Sequence, residues 1–397
     1  MATLDERSLE FHKKHQGKLV TGSVVPIKTR DDLALVYTPG VAAASIAISR
    51  DPSLSYDYTW RGRTVAVISD GSAVLGLGNI GPEAALPVME GKALLLKEFA
   101  GVDAVPLVIN TQDSGEIIKF VTQVAPSFAG INLEDISAPR CFQIEEALQH
   151  IGIPVFHDDQ HGTAIVVAAA LHNAAKVVGK KYADLRVVIV GAGAAGLATA
   201  KMLLGLMCES DRCELIAGGT RVRDVVVVDK LGALYLGRAD LNIYKQAVVG
   251  VSNVEHKKGD LSEVIRGADV VIGVSGPNNI SADHIKSMAP KAIVFAMANP
   301  IPEIMPDIAK AAGAAIVATG RSDYPNQINN VLAYPGIFRA VIQGRLKTIS
   351  PEMKQAVSTA IANLIINPSA ENIIPDAFFP NLAQRVAEAV LSKVVSK

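Results

Sequence analysis

The sequence predicts an α/β protein with two domains, the second of them built on a doubly wound sheet. Its 397 residues exceed the roughly 150 residues typical of one domain. Short apolar runs alternate with helical patterns in both halves, as expected for parallel strands separated by helices. A glycine-rich turn directly follows one of these runs. We place residues 1–160 in the first domain and residues 161–397 in the second, with C-terminal helices free to pack back on the first.

The first domain shows apolar runs typical of strands and patterns typical of helices. We predict strands at 65–69, 105–109 and 153–156, and helices at 82–100 and 116–124. Asp113 lies three residues before Glu116, a spacing that marks the beginning of a helix. Residues 163–178 are apolar on nearly all sides and predict a buried helix that joins the two halves and ends at Gly179.

The second domain begins near Leu185 and has the same alternation. Its predicted strands cover 186–190, 225–229, 269–273, 292–296 and 315–318. A stretch rich in Cys, Arg and Gly, residues 207–224, predicts a long loop. Helical patterns at 352–366 and 382–395 end the chain, separated by prolines.

Composition excludes several classes of function. Hydrophobic residues at 49%, charged residues at 19% and a net charge of −1 describe a globular chain with no electrostatic affinity for nucleic acid or anionic membrane. Three cysteines without ligand-like clustering argue against a disulfide framework and fit a reducing compartment, although Cys208 and Cys213 are near enough in sequence to bridge. The charged N-terminus is no secretory signal, and residues 164–171 are too short to span a bilayer. We therefore expect a cytoplasmic protein.

The glycine pattern G-x-G-x-x-G occurs twice, and its context separates the two copies. The second copy directly follows a strand and opens a helix, as in a Rossmann-type dinucleotide-binding domain, where the glycines let a pyrophosphate approach the helix N-terminus. It consists of Gly191, Ala192, Gly193, Ala194, Ala195 and Gly196. Asp229 ends the next strand and would accept the ribose hydroxyls, although its spacing from Gly191 exceeds the usual separation of about 20 residues. The first copy, residues 76–81, precedes Pro82 and predicts a structural turn.

Two pairs of neighbouring carboxylates suggest a metal site. Glu134 and Asp135 precede a turn, and Asp158 and Asp159 follow a predicted strand, where α/β proteins bind ligands. Carboxylate oxygens are the ligands preferred by Mg²⁺ and Mn²⁺. Taken singly, each pair also fits a solvated turn, because adjacent residues of a regular strand point to opposite faces.

Tyr37 and Lys92 are candidates for an acid and a base. Tyr37 lies in a turn punctuated by Pro39 and Gly40, and a tyrosine there also fits a packing role. Lys92 lies in an apolar helix, where desolvation would lower its pKa and fit it to act as a base. By itself, the pattern favours a lysine whose ammonium reaches back to solvent.

These residues lie in motifs that resemble the malic enzyme family, in its small form, over nearly the whole chain. The matching motifs follow one another in order. They are V-Y-T-P-G-V-A at Tyr37, S-D-G-S-A-V-L-G-L-G-N-I-G at Asp70, M-E-G-K-A at Lys92, N-L-E-D-I at Glu134, F-H-D-D-Q-H-G-T-A at Asp158, G-A-G-A-A-G at Gly191, A-N-P at Asn299 and N-Q-I-N-N at Asn326.

The resemblance implies oxidative decarboxylation of L-malate to pyruvate and CO₂, with reduction of NAD⁺ or NADP⁺ and dependence on Mg²⁺ or Mn²⁺. It also implies a homodimer or larger assembly. The implied roles are metal ligand for Glu134, Asp135 and Asp159, general base for Lys92, acid for Tyr37, acidic partner beside the metal for Asp158, and contact with substrate or nicotinamide ribose for Asn299 and Asn330.

Two questions stay open at this point. Larger family members carry an arginine in the segment that is here residues 71–74, so the malate carboxylate must be held by another group, with Lys92, Asn299, Asn330 or a neighbouring subunit as candidates. Asp229 would repel a 2′-phosphate and weakly favours NAD. The nearby cations that would offset it are Arg221, Arg223 and Lys230.

Two further functions remain as alternatives. One is a metal-independent amino-acid or 2-hydroxy-acid dehydrogenase on a similar scaffold, and the other is a nucleotide sensor without catalysis. Retention of Tyr37, Lys92 and both acidic pairs disfavours the sensor, because a site without catalysis has no chemical need for them together.

Overall fold

Two parallel sheets organise the chain. The computed structural model describes residues 3–74, 76–209, 212–216 and 219–394. The strands are β1 Thr64–Ser69, β2 Asp103–Val108, β3 Gly130–Leu133, β4 Val155–His157, β5 Arg186–Val190, β6 Leu206–Glu209, β7 Arg212–Leu215, β8 Asp224–Asp229, β9 Gly232–Ala233, β10 Val270–Gly273, β11 Ala292–Ala296 and β12 Ala314–Thr319. The α/β class predicted from the sequence is confirmed.

Helices cover the faces of both sheets and form both ends of the chain. They are α1 Leu4–His15, α2 Arg30–Val36, α3 Val41–Arg50, α4 Ser55–Tyr58, α5 Pro82–Ala100, α6 Ser114–Val124, α7 Arg140–Leu148, α8 Asp158–Val178, α9 Ala194–Leu203, α10 Ile243–Val249, α11 Leu261–Val264, α12 Ala282–Ser287, α13 Pro306–Ala311, α14 Tyr334–Gly344, α15 Pro351–Asn363 and α16 Leu382–Leu391.

The first sheet has the order β2-β1-β3-β4, and every neighbouring pair is parallel. Parallel strands place their carboxyl ends at one edge of the sheet, so the loops after β1, β3 and β4 meet there. Strand β1 is buried over its whole length, which explains its unbroken apolar run. Helix α5 begins at Pro82 and ends before Gly101, whose φ of 70° is left-handed.

Helix α8 connects the two sheets, and it begins earlier than its apolar pattern predicts. It runs from Asp158 rather than residue 163, so both Asp158 and Asp159 lie in its first turn. Carboxylates are favourable there because the unpaired N–H groups of a helix N-terminus carry partial positive charge. The helix is buried along most of its length and ends at Gly179 with φ of 71°, as expected from the sequence.

The second sheet has the order β12-β11-β10-β5-β8-β9. Five strands are parallel, and the short β9 is antiparallel to β8. The strand order reverses at β5, which lies between β8 and β10. This reversal is the place where doubly wound sheets bind nucleotides. The five predicted strands of this half all occur, with ends shifted by a residue at most.

The prediction of a long loop at residues 207–224 is wrong for its first part. Strands β6 and β7 form an antiparallel hairpin, and Cys208 faces Cys213 across it in a disulfide. Residues 210–211 and 217–218 of this stretch lie outside the described residues. The strands are four residues each, too short for alternation to reveal. Cys141 is a buried free thiol.

The C-terminal helices pack against both halves. Helix α15 lies on α8, while α14 and α16 lie on each other and on α5 of the first half. Helix α15 ends at Asn363 and α16 at Leu391, a few residues before the predicted ends. Val395, the predicted end of the last helix, lies outside the described residues.

The region before the first sheet is built differently. Helices α1, α2 and α3 contain no buried residue. We call residues 19–50 the N-terminal arm. One stretch within it, Arg30–Arg50, has the length and apolarity of a membrane span, near the N-terminus and with none of it buried. It is weak evidence for a span, because the stretch is broken into α2 and α3 around Pro39.

Acid should destabilise this fold partly through His172 on α8. Its ring stacks on Tyr182 at 4.0 Å between centroids, and burial lowers the pKa of His172 to about 4, with Lys176 adding to the effect. The unfolded chain, whose histidine pKa is near 6.5, binds the proton more tightly than the folded chain does. The free energy of unfolding therefore has its full value above that pH and falls as the pH drops towards 4. We expect a loss of roughly 2 kcal/mol by about pH 5 from this residue.

Urea unfolding at about pH 7.5 and pH 5 tests this expectation. His172→Phe keeps a stacking ring but has no titrating group. Between the two pH values, its free energy of unfolding should therefore fall by roughly 2 kcal/mol less than that of the wild type. His150→Gln, at an exposed position, serves as the control and should behave as the wild type. Equal acid losses in all three proteins would contradict the assignment.

Candidate active site

The two acidic pairs meet because their strands are neighbours. Strands β3 and β4 are parallel, with Leu133 opposite His157, so the residues that follow them emerge side by side at the carboxyl edge. One carboxylate oxygen from each of Glu134, Asp135 and Asp159 lies within 4.8 Å of the other two. Three hard oxygen donors at this spacing fit a divalent cation such as Mg²⁺ or Mn²⁺.

A left-handed residue allows the adjacent Glu134 and Asp135 to serve one centre. Asp135 has φ of 54°, and its N–H donates to Asp159 Oδ2 at 2.8 Å. The strand has ended at Leu133, so the alternation that would send neighbouring side chains to opposite faces no longer applies. Glu134 is held in turn by Asn132, whose Nδ2 donates to its Oε2 at 2.8 Å.

Lys92 reaches the same centre from helix α5. Its Nζ lies 3.0 Å from Glu134 Oε1 and donates a short hydrogen bond to Asp158 Oδ2. The ammonium also lies over the ring of Tyr334, 4.5 Å from the centroid. Its side chain is 12% exposed. The ammonium therefore points into the acidic edge and not out to solvent.

Burial and charge oppose one another at this edge. Burial lowers the pKa of Lys92, but the charges of Asp158 and Glu134 raise it by more, so the pKa is well above its ordinary value. This differs from the expectation that desolvation alone brings the lysine near neutrality. Burial also raises the pKa of Asp158 to about 6 and that of Glu134, against the opposing effect of Lys92. The centre thus holds more negative charge than one lysine offsets.

The surroundings of Asp158 leave one of its carboxylate oxygens available to a bound ligand. Its Oδ1 is buried without a hydrogen-bond donor among the described residues. A side chain at Gly162 would collide with this oxygen, since a Cβ there would lie 1.8 Å away. The same Cβ would lie 3.0 Å from Asn330 Cβ, which places Asn330 beside Asp158. The glycine of H-D-D-Q-H-G-T is therefore required by the carboxylate one turn before it.

Buried polar contacts fix the two helices that border the edge. Glu145 on α7 accepts from Gln160 at 3.0 Å and pairs with His161 Nε2 at 2.7 Å. Burial raises the pKa of Glu145, but His161 lowers it by more, to about 2, and burial lowers the pKa of His161 to about 4. His157 is fully buried, and burial lowers its pKa against the opposing charges of nearby carboxylates. The contacts of Glu145 hold α7 against the first turns of α8.

Arg140 is a residue that the sequence did not single out. It holds the loops after β1 and β3 together, because its Nη2 lies 2.9 Å from both Ser72 Oγ and Ser137 Oγ and 3.1 Å from Asp70 Oδ2. The sequence around Arg140 indicates only that a helix begins after Pro139. It does not show which distant residues the guanidinium contacts. The guanidinium stands beside the segment that lacks the arginine of larger family members, but it is engaged by these groups.

The first glycine pattern, residues 76–81, lies close to the second sheet. The carbonyl oxygen of Asn299, in the loop after β11, would lie 2.1 Å from a Cβ at Gly76. Only glycine permits this approach between the two halves. The pattern also ends as predicted, with Gly81 before the helix and Pro82 at its first position. Asn299 is exposed at this junction.

The second glycine pattern forms the turn from β5 to α9. Gly191 has φ of 119°, and a Cβ on Gly196 would lie 1.9 Å from the Gly191 carbonyl oxygen. Helix α9 begins at Ala194 without a side-chain cap, which leaves its first N–H groups available to an anion. Ala192 and Ala195 lie between these positions and add no bulk. The turn lies at β5, where the strand order reverses.

Asp229 ends β8 as expected, but its charge is offset by residues other than those suggested by sequence. Arg238 Nη2 lies 2.8 and 2.7 Å from its two oxygens, and Lys245 Nζ lies 2.7 Å from Oδ2. Burial raises the pKa of Asp229, and the bonds from Lys245 and Arg238 lower it by more. No described contact joins Asp229 to Arg221, Arg223 or Lys230. A neutralised Asp229 repels a 2′-phosphate less than a free carboxylate does.

Tyr37 is the predicted catalytic residue for which no contact with the acidic edge of the first sheet is described. It ends α2 in the N-terminal arm and is 67% exposed. Its hydroxyl forms no hydrogen bond with any described residue. Its neighbours in the chain are likewise unburied.

Comparison with known proteins gives consistent matches over nearly the whole chain. Residues 16–149 match the family described as malic enzyme, N-terminal domain, and residues 160–395 match malic enzyme, NAD binding domain. The chain is 52% identical over 378 residues to the NAD-dependent malic enzyme of Geobacillus stearothermophilus, covering 94% of this chain and 76% of the relative. It is 50% identical over 392 residues to the bifunctional malic/malolactic enzyme of Bacillus subtilis (strain 168), covering 98% and 92%.

Solved structures agree with the sequence relatives. The NAD-dependent malic enzyme from Thermotoga maritima superposes with a TM-score of 0.90 at 47% identity, covering 96% of this chain and 98% of that chain. The malic enzyme from Pyrococcus horikoshii gives 0.89 at 47% identity, covering 98% and 90%.

The carboxylate cluster should bind Mn²⁺ in the absence of any other ligand. We expect Asp135→Asn and Asp159→Asn each to weaken Mn²⁺ binding by at least about tenfold, because each removes one anionic ligand. Titration calorimetry measures the affinity, with circular dichroism to show that the variants are folded. Asp283→Asn, at a carboxylate that is 88% exposed, is the matched control. Wild-type affinity in the two cluster variants would rule out this centre.

Proposed function

Because this chain belongs to the malic enzyme family, we propose that it oxidatively decarboxylates L-malate to pyruvate and CO₂ while reducing NAD⁺ or NADP⁺. One observation carries the proposal. A buried lysine and three carboxylates that fit a divalent cation share one sheet edge. A general base beside a metal centre is what removal of a hydroxyl proton followed by loss of CO₂ requires.

The residues divide into a metal-holding set and a proton-handling set. Glu134, Asp135 and Asp159 would hold Mg²⁺ or Mn²⁺. When bound, the ion would supply positive charge that polarises the C2 oxygen and offsets the carboxylates, and a bound nicotinamide would supply the hydride acceptor. With the carboxylate charge offset, Lys92 loses its proton more readily, and its neutral amine accepts the proton of the C2 hydroxyl.

Asp158 supports Lys92 in this role. Its Oδ2 accepts from the Lys92 ammonium, and its buried position fixes the lysine within reach of the metal ligands. The positive charge on Lys92 that follows proton uptake is therefore stabilised at once. The reaction consumes and releases no net proton, because the proton taken from the hydroxyl equals the one delivered to C3 after CO₂ leaves. We assign that delivery to Tyr37.

The substrate carboxylate is held by neutral donors in this proposal. Arg140 is engaged by Asp70, Ser72 and Ser137 and is not free to turn to a ligand. Asn330 lies beside Asp158, and its side chain forms no hydrogen bond with any described residue. We infer that Asn330 binds substrate and that Asn299, at the junction of the two halves, contacts substrate or the nicotinamide ribose.

The glycine turn from Gly191 to Gly196 would bind the pyrophosphate of the cofactor at the N-terminus of α9. Asp229 would accept the ribose hydroxyls, which favours NAD. Arg238 and Lys245 offset its charge, which supports some use of NADP. The relatives from Geobacillus stearothermophilus and Thermotoga maritima are named NAD-dependent, and a 43% identical relative from Halomonas elongata is named NADP-dependent. We propose that the enzyme acts in the cytoplasm, as its composition suggests.

The proposal is tested by incubating the protein with L-malate and Mn²⁺, with NAD⁺ and NADP⁺ in separate reactions. Pyruvate and reduced nicotinamide should form in equal amounts, faster with NAD⁺, and both should cease when a chelator removes the metal. Reduced cofactor without pyruvate would instead show a simple dehydrogenase. Absence of reaction with both cofactors would support a nucleotide sensor.

Lys92→Ala should reduce turnover by at least about a thousandfold, because it removes the amine that accepts the proton of the C2 hydroxyl. Cofactor affinity, measured by fluorescence titration, should change little, since the glycine turn belongs to the other sheet. Lys119→Ala, at an exposed lysine of α6, is the matched control and should keep wild-type turnover. Turnover at the wild-type rate in Lys92→Ala would disprove the role of this lysine.

A further inference from the structure

A cavity of about 370 Å³ lies between the end of α5, helix α14 and the beginning of α16. This volume is within the range of sites that bind small molecules. The described residues that line the cavity include none that were assigned above to metal, substrate or cofactor. Most of them are aromatic or apolar, with Phe99, Leu332, Pro335 and Phe378 among them. The cavity is therefore a candidate for a second ligand site, separate from the acidic edge.

Arg339, on α14, brings a positive charge to the wall of this cavity. The residue is partly buried, and its Nε is shielded from solvent without a hydrogen-bond acceptor. Among the described residues, none pairs with its guanidinium through a hydrogen bond, an ion pair or a ring contact. Arg140 and Arg238, which are also withdrawn from solvent, each contact a carboxylate. Leaving a buried donor unpaired is unfavourable, and a ligand with an anionic oxygen would supply the acceptor.

The N-terminus of α16 contributes further donors to the same wall. This helix has 10 residues, and Asn381 at its N-cap has φ of 58° and makes no capping hydrogen bond. The N–H of Leu382 donates to the carbonyl oxygen of Phe379 at 3.2 Å. The next two N–H groups, those of Ala383 and Gln384, have no acceptor among the described residues. Such groups carry partial positive charge and bind anions, so the helix adds to the effect of the guanidinium.

The rest of the wall determines which kind of anion fits. Glu98, at the end of α5, lines the cavity with an exposed carboxylate, which repels ligands that carry several negative charges. Phe99 and Phe378 lie edge to face, with 5.7 Å between ring centroids, and Phe378 is 84% exposed. Apolar contact with a ligand would remove this aromatic surface from water. The wall thus favours a single anionic group attached to an apolar body.

We propose that this cavity binds a small organic carboxylate with an apolar body. The carboxylate lies at Arg339 and the N-terminus of α16, and the apolar body lies against Phe99 and Phe378. The fork of N–H groups on a guanidinium matches the two oxygens of a carboxylate. Binding is non-covalent and adds no step to the reaction proposed above. The proposal stands independently of that reaction.

Two helices connect the cavity with the catalytic edge but hold the two sites apart. Phe99 lies two turns beyond Lys92 on α5, about 10 Å along the helix axis. Arg339 lies more than one turn beyond Tyr334, whose ring contacts the Lys92 ammonium. A ligand in the cavity therefore does not occupy the space beside the metal ligands, and both sites can be filled together.

Titration calorimetry with 3-phenylpropanoate tests the proposal on the whole chain after a chelator has removed metal ions. Without a metal ion the acidic edge repels this probe. We expect one probe to bind per chain. Its neutral analogue 3-phenylpropanamide should bind at least about tenfold more weakly, because only the carboxylate accepts charge-assisted hydrogen bonds. Failure of 3-phenylpropanoate to bind, or equal affinity for the amide, would overturn the proposal.

Variants locate the bound probe. Arg339→Gln keeps a polar side chain but loses the cation, and it should weaken the binding of 3-phenylpropanoate by at least about tenfold. Arg385→Gln, at an exposed arginine of α16 outside the cavity, is the matched control and should keep wild-type affinity. Lys92→Ala should also bind the probe as the wild type does. Weakened binding in Lys92→Ala with wild-type affinity in Arg339→Gln would place the probe at the catalytic edge and contradict the proposal.

A further variant leaves every charge in place. Phe378→Ala removes an exposed ring from the wall without opening the core, and it should weaken binding by about fivefold. Ile366→Ala, at a side chain that is 87% exposed and outside the cavity, is its control. Circular dichroism shows whether each variant is folded, and Phe378→Ala decides the matter if Arg339→Gln is not. Inorganic phosphate should bind more weakly than 3-phenylpropanoate, and the reverse order would rule out the proposed class of ligand.

Discussion

The burial of several carboxylates around one lysine is the constraint on which the rest of this structure depends. Glu134 and Asp158 are almost wholly withdrawn from water, and such charges are destabilising unless paired. Lys92 is the cation that contacts both. One positive charge does not offset the whole cluster, and burial raises the pKa of Asp158 in spite of the opposing charge of Lys92. A divalent cation at the remaining oxygens would restore the balance.

Several local features follow from this constraint. Asp135 adopts a left-handed conformation so that two neighbouring carboxylates face one point. Helix α8 begins at the acidic pair, where its N-terminal N–H groups face negative charge. Gly162 lacks a side chain because Asp158 occupies that space. Arg140 and Glu145 brace the surrounding loops and helices from outside the cluster. All of these features serve the same few atoms.

The two sheets contribute different parts of the chemistry. The first sheet supplies the lysine and the acidic edge, and the second supplies the glycine turn at the reversal of strand order. The close approach of Gly76 to Asn299 joins the halves near these edges. In the second half Asp229 is already bound by Arg238 and Lys245, so the cofactor would meet a nearly neutral group there. Uncompensated negative charge is thus concentrated at the acidic edge of the first sheet, where substrate and metal would bind.

Local sequence determined most elements, because hydrophobic periodicity and capping act over a few residues. The longer strands of both halves, α5 with its Pro82 start, and the glycine turn at β5 could be predicted, whereas β3 and the two-residue β9 were missed. The hairpin of β6 and β7 could not, because four residues are too few to show a pattern. The start of α8 was also missed, since polar residues in a first turn resemble a loop.

The site depended on the sequence and the tertiary structure in different ways. Motifs identified the acidic pairs, Lys92 and Tyr37 as candidates, but each pair alone also fitted a solvated turn. Only the order of the strands brings Glu134 beside Asp158, because the register between β3 and β4 is a long-range property. The partners of Asp229 and the exposure of Tyr37 are likewise properties of packing. Sequence determines what each segment can form, and the tertiary structure decides which charges meet and which surfaces stay uncovered.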